Sequence, residues 1–179
     1  MSVPDFVTVP DLEAFRSGDD AAIVRQTQAA IRRYCGWHIA PSITETITLD
    51  GDGSRHLWLP SLHVTAVTAV TNGDTVLDVS SDLDWSESGY VELRCSRWTR
   101  RPRRVTISMT HGYDEIPADL VELAVSLALR AAASPTGAIS ESAGQVSLTF
   151  GTFNGVAGGL ALLAHEKDLL SAYKLPPRA

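Results

Sequence analysis

Residues 32–49 read RRYCGWHIAPSITETITL, and within them the periodicity changes from that of a helix to that of a strand. Upstream, with Asp19 or Asp20 as the cap, Ile23, Val24, Ala30, Ile31 and Tyr34 recur at helical spacing and Thr27 completes the stripe. Arg25, Gln28, Arg32 and Arg33 fall largely away from that stripe, and Gly36 supplies the left-handed stop. Downstream, Thr44, Thr46 and Thr48 alternate with Ile43, Glu45, Ile47 and Leu49, the period-2 pattern of a strand.

The strand pattern then persists for about seventy residues, as short runs separated by turn signals. Asp50-Gly51-Asp52-Gly53-Ser54 turns into Arg55–Leu59, and Asn72-Gly73 joins Leu62–Val70 to Thr75–Val79 as a hairpin. Tyr90–Leu93 and Val105–Met109 are further strands, which predicts a compact antiparallel sheet or a small barrel. Helical sequence resumes at Pro117, where proline is best tolerated. From Leu120 to Ala133 nearly every residue outside the stripe Asp119, Glu122, Ser126 and Arg130 is Leu, Val or Ala, so this helix is expected to need cover on several sides. Leu120, Leu123 and Leu127 are its primary core positions, and Ser134-Pro135-Thr136-Gly137 ends it. An extended stretch from Ala138 to Phe150, a glycine-rich segment and a third helix carrying Leu162, Leu163, Leu169, Leu170 and Tyr173 follow; Pro176-Pro177 stops it.

The expected fold class is therefore α+β: a helical body of three main helices, residues 1–41 plus 112–179, with a small antiparallel β subdomain at 42–111 inserted into it. At 179 residues the chain is expected to make a single folding unit.

Hydrophobic residues at 44% and charged residues at 20% exclude wholesale disorder. Cys35 and Cys95 form no C-x-x-C pair, which gives neither a disulfide framework nor zinc spacing, and both read as partly buried thiols. The N-terminal segment lacks the basic and apolar regions of a signal peptide, and no apolar run approaches the roughly 20 residues needed to span a bilayer. His38, His56, His63, His111 and His165 are scattered singly, no G-x-S-x-G occurs, and the glycines at 151–158 lack the lysine of a phosphate-binding loop. No catalytic group, cofactor site or metal site is expected.

Arg94, Arg97, Arg100, Arg101, Arg103 and Arg104 stand within eleven residues without an acid between them. Against a net charge of −6, these six positive charges leave −12 on the rest of the chain. An acidic body thus carries one basic loop, with Trp98 inside it. An arginine loop with an aromatic ring suits a nucleic-acid-binding module, in which the ring packs or stacks. It equally suits a solvated loop paired with the acidic body or an acidic neighbour.

Taken in order, RRYCGWHIAP at 32–41, ITETITLDG at 43–51, THGYD at 110–114, ASPTG at 133–137, ESAGQVSLTF at 141–150 and GVAGGLALLAHEKDLLSAYKL at 155–175 resemble the head-to-tail connector (adaptor) proteins of long-tailed bacteriophages, especially those infecting actinobacteria. The resemblance runs from about residue 12 to residue 175. It implies a structural virion protein without enzymatic activity, present in the host cytoplasm during assembly and then in the neck. Such adaptors form a homo-oligomeric ring, commonly a dodecamer, beneath the portal protein. They extend the channel through which genomic DNA passes without sequence-specific binding, and they meet the next neck or tail protein; no membrane is involved. Extended C-terminal and loop segments dock onto neighbours in this family. On that basis Leu120, Leu123, Leu127, Arg130, Phe150, Phe153, Leu169, Leu170, Tyr173 and Leu175 are candidate interface residues, and the arginine loop is expected on the outside of the ring or at a subunit contact.

Overall fold

The computed structural model describes residues 20–133, 140–143, 146–149 and 160–176. Its elements are α1 (Asp20–Cys35), β1 (Ile43–Leu49), β2 (His56–Trp58), β3 (Val64–Asn72), β4 (Thr75–Leu77), β5 (Leu83–Ser86), β6 (Tyr90–Leu93), β7 (Val105–His111), α2 (Ala118–Ala133), β8 (Ser140–Ala143), β9 (Val146–Thr149), α3 (Ala164–Leu170) and a closing 3₁₀ turn, Ser171–Tyr173. Contacts divide them into two units, Met1–Cys35 with Ile116–Lys174, and Gly36–Glu115 with Leu175–Ala179.

The second unit overturns the expected fold class. The chain is β-rich, not a helical body with a small insertion: two antiparallel sheets, in the orders β1-β7-β3-β4 and β2-β6-β5, enclose a hydrophobic core. β1 pairs with β7 from Ile43 opposite His111 to Leu49 opposite Val105, so Ile47, Leu49, Ile107 and Val105 all face inward. β3 pairs with the other side of β7, with irregularities between Val64 and Ala66 and between Val67 and Ala69. Leu57, Leu59, Leu83, Val91 and Leu93 close the core from the three-stranded sheet. The expected hairpin forms, but its two-residue turn is Gly73-Asp74, with Asn72 paired to Thr75 and Gly73 taking φ +67°. The turn after β5 depends on Gly89 at φ +86°, where a Cβ would lie 1.8 Å from the Ser61 carbonyl oxygen. The sequence pattern missed β5, because in that short edge strand Leu83 alone is buried.

In the helical unit α1 packs on α2, and the buried faces are narrower than expected. Along α1 the buried residues are Val24, Thr27, Gln28, Ile31 and Cys35, so Gln28 belongs to the inner face. Along α2 they are Leu120, Leu123, Ala124, Leu127, Ala128 and Ala131, a single stripe at helical spacing. The expected long third helix is the seven-residue α3 and its 3₁₀ turn. Burial pushes the Cys35 thiol up to about 11, which leaves it inert, whereas Cys95 is exposed.

Candidate functional site

The basic loop joins β6 to β7, and most of it is tied to its own unit. Arg94 makes a forked ion pair with Asp84, at 2.6 and 3.0 Å, and donates to the Ser80 and Ser81 carbonyls. Arg104 and Arg101 reach Asp74 at 3.3 and 3.9 Å. Arg97 donates to the Gly53 carbonyl at 3.4 Å, Arg100 lies across Gly53, and the Arg103 backbone N–H donates to the Asp50 carboxylate at 2.6 Å. Trp98 is 2% exposed and belongs to the sheet core; its indole N–H donates to the Arg55 carbonyl at 3.1 Å. Its ring is therefore closed to a nucleic-acid base, and the aromatic half of the stacking module is absent. Among the described residues only Arg97, Arg100 and Arg103 of the loop lack a carboxylate partner for their guanidinium groups.

The residues expected to form an interface are mostly used within the chain. Leu120, Leu123, Leu127 and Leu170 are buried. Arg130 forks onto the Glu166 carboxylate at 2.7 and 3.0 Å and donates to the Ala161 carbonyl at 2.8 Å. Glu166 is itself buried and accepts the Leu163 backbone N–H at 2.7 Å, the reach-back of a glutamate in the first helical turn. Burial pushes its carboxyl up, but the hydrogen bonds from Arg130 and Leu163 and the charge of Arg130 outweigh that and hold it below the usual range. The Tyr173 hydroxyl donates to Asp119 at 2.9 Å. Leu169, 55% exposed, is open to a partner. Leu175 lines a groove of the β unit, while Phe150 and Phe153 lie outside the described residues.

Two of the sequence landmarks meet in space, which spacing did not foretell. Tyr113 of THGYD stacks on His63 with ring centroids 4.5 Å apart and lies 6.1 Å from Trp37 of YCGWHIAP. The Tyr113 N–H donates to the Ile39 carbonyl at 2.8 Å, holding Ile39 at φ +68°, a conformation rare for a β-branched residue. The buried His111 pairs through Nε2 with Glu45 at 2.9 Å, and its Nδ1 has no hydrogen-bond partner. Burial lowers its pKa below the ordinary value, against an opposing pull from Glu45. The folded state thus favours neutral imidazole, so this stabilisation is full above about pH 6.5 and is lost as pH falls through the lower folded value. Urea unfolding between pH 7.5 and 5 is expected to show that loss in the native chain and a flatter profile in His111→Gln.

The family model described as head completion protein matches residues 14–130, from before α1 through nearly all of α2. The chain belongs to the head completion protein family. Two solved structures resemble this head completion protein over 100% of its length. One is a chain of the neck of the native GTA particle (gene transfer agent, a phage-like particle) computed with C12 symmetry, at TM-score 0.58 and 17% identity, covering 98% of that chain. The other comes from the neck of the empty particle computed with C6 symmetry, at TM-score 0.59 and 17% identity, covering 95%. At such identity the likeness is one of fold. No curated protein matches the chain.

The family member's β unit carries an open groove of about 920 Å³, lined among others by Asp50, Asp52, His56, Leu57, Trp58 and Leu175. Ser61 and Ser88 also line it, but the Ser61 hydroxyl donates to the His63 carbonyl, the Ser88 hydroxyl pairs with Ser86 and His56 faces Glu92, so neither serine is joined to the imidazole as a nucleophile to its base. Among the described residues no three His, Cys, Asp or Glu side chains converge as metal ligands. No described helix is long and apolar enough to cross a membrane.

Proposed function

We propose that this head completion protein is a head-to-tail adaptor of the virion neck: a ring seated under the portal that extends the DNA channel and joins the capsid to the tail without catalysing a reaction. The observation that carries this reading is the family match over residues 14–130. Whole-length likeness to chains of necks computed with C12 and C6 symmetry supports a ring. The partners are further copies of the chain, the portal, the next neck or tail protein, and genomic DNA in transit. The place of action is the head-tail junction, reached from the host cytoplasm during assembly.

The test is incubation with the cognate portal, followed by sedimentation and electron microscopy. A discrete ring on the portal is expected; components that stay separate at assembly concentrations would refute the adaptor. The alternative of a nucleic-acid-binding module predicts tight binding through the arginine loop. With Trp98 buried and, among the described residues of the loop, only Arg97, Arg100 and Arg103 lacking a carboxylate within ion-pair distance of their guanidinium groups, we expect weak DNA binding. Its log-log salt slope should be no steeper than roughly 3, at about 0.9 per phosphate neutralised. Fluorescence anisotropy over a salt series measures it, and a steeper slope would revive the alternative.

A further inference from the structure

The outer face of the four-stranded sheet carries no charge. β1 presents the exposed Thr44, Thr46 and Thr48, and the paired β7 presents Thr106, Ser108 and Thr110. The outward positions of β3 are only threonine and alanine, and the edge strand β4 adds Val76, 77% exposed. Not one Asp, Glu, Lys or Arg projects from these four strands on that side, in a chain where such residues make up 20%.

Many of the hydroxyls on this face are already satisfied within it. Thr44 bonds Thr110 at 2.8 Å and Thr46 bonds Ser108 at 2.7 Å. Thr65 and Thr68, at the irregularities of β3, donate to the Thr110 and Ser108 carbonyls. Covering the face would leave only the Thr48, Thr106 and Thr71 hydroxyls, side by side at one end, in need of a partner, which lowers the usual cost of burying hydroxyls. What it offers outward is largely methyl groups on β-branched side chains, whose restricted χ1 leaves little entropy to lose. A surface with these properties is prepared for a dry protein contact.

We propose that this face is where one copy of the chain meets an adjacent copy in the ring; the inference rests on the adaptor reading above. Charge selects the occupant. Nucleic acid needs positive groups that the face lacks, and a strongly charged protein would find no counter-charge. A second copy carries the same net charge of −6, so a neighbour is met with least repulsion on this uncharged face, and ring closure makes the contact heterologous, with a different surface of the neighbour seated on it. Size points the same way. Three strands about 4.8 Å apart and seven residues long give a face on the order of 300 Å², well below the roughly 800 Å² per partner of a stable isolated complex. Such a contact holds poorly in a free dimer and becomes durable when a closed ring secures each copy on both sides.

The test is a photo-crosslinking residue at Thr46, in the full chain assembled with its portal, with products separated under denaturing conditions and identified by mass. Homo-conjugates are expected, together with a fall of about tenfold in ring yield for Thr46→Arg/Ser108→Arg. Thr46→Val/Ser108→Val should assemble normally. Circular dichroism and tryptophan fluorescence check that each variant is folded. Conjugates with the portal, no conjugate from an assembled ring, or undiminished assembly of the folded arginine variant would each overturn the proposal. If the unaltered chain forms no ring on its portal, the adaptor reading fails first and this inference with it.

Discussion

Trp98→Ala is expected to destabilise the β unit by about 3–5 kcal/mol, the range for removing a large buried aromatic side chain. Trp98 is 2% exposed and packs in the same core as Leu93, Val105 and Ile107. Alanine there leaves a cavity and strips the Arg55 carbonyl of its indole donor. The neighbouring Arg100 is exposed, so Arg100→Ala should stay within about 0.5 kcal/mol of the native chain. The contrast separates a core residue from a ligand platform, because stacking on nucleic acid would make Trp98 expendable for folding. All four tryptophans, Trp37, Trp58, Trp85 and Trp98, lie in the β unit, so urea titration followed by fluorescence of the remaining three reads that unit directly. A Trp98→Ala chain as stable as the native one would mean that the ring does not fill the core.

The same residue shows where sequence reading stops. β1 was legible because one inward face forces Thr44, Thr46 and Thr48 to alternate with Ile43, Glu45, Ile47 and Leu49, and the hairpin because its two-residue turn, Gly73-Asp74, demands a glycine. Trp98 sits in a segment without period, among arginines, and is drawn inward by the distant backbone at Ser54 and Arg55. The weight given to helices failed for a related reason. In α2 the apolar residues beside the buried stripe, Val121, Val125 and Leu129, are only half-buried, so its apolar composition overstated the surface it must hide. Gln28 misled in the opposite direction, a polar residue on the buried side of α1. Of the candidate site, the positions of the arginines were legible but not their partners. Asp84 and Asp74 stand ten to thirty residues from the arginines they pair with, a separation that only the sheet topology closes. The Arg130–Glu166 pair spans 36 residues and left no local signal.

That pair gives the second large effect. Glu166→Gln is expected to loosen the α3 segment from α2 at a cost of about 1.5–3 kcal/mol, the range for a hydrogen bond to a charged group, since Glu166 is buried but Arg130 is 23% exposed and stays partly solvated. Arg130 would keep its bond to the Ala161 carbonyl but lose the carboxylate that neutralises it. The loss should appear in the helical circular dichroism signal while tryptophan fluorescence, confined to the β unit, stays native. Because Glu166 titrates below its ordinary range when folded, its stabilisation is present above about pH 4.5 and disappears as pH falls through the lower folded value. Glu166→Gln should therefore flatten the acid limb of helix unfolding. Arg130→Met/Glu166→Met is the decisive control. Removing both charges together leaves nothing stranded, so the double variant should recover much of the stability lost by the single one. Additive losses in the double variant would show that α3 is held by packing around Leu170 and that the ion pair contributes little.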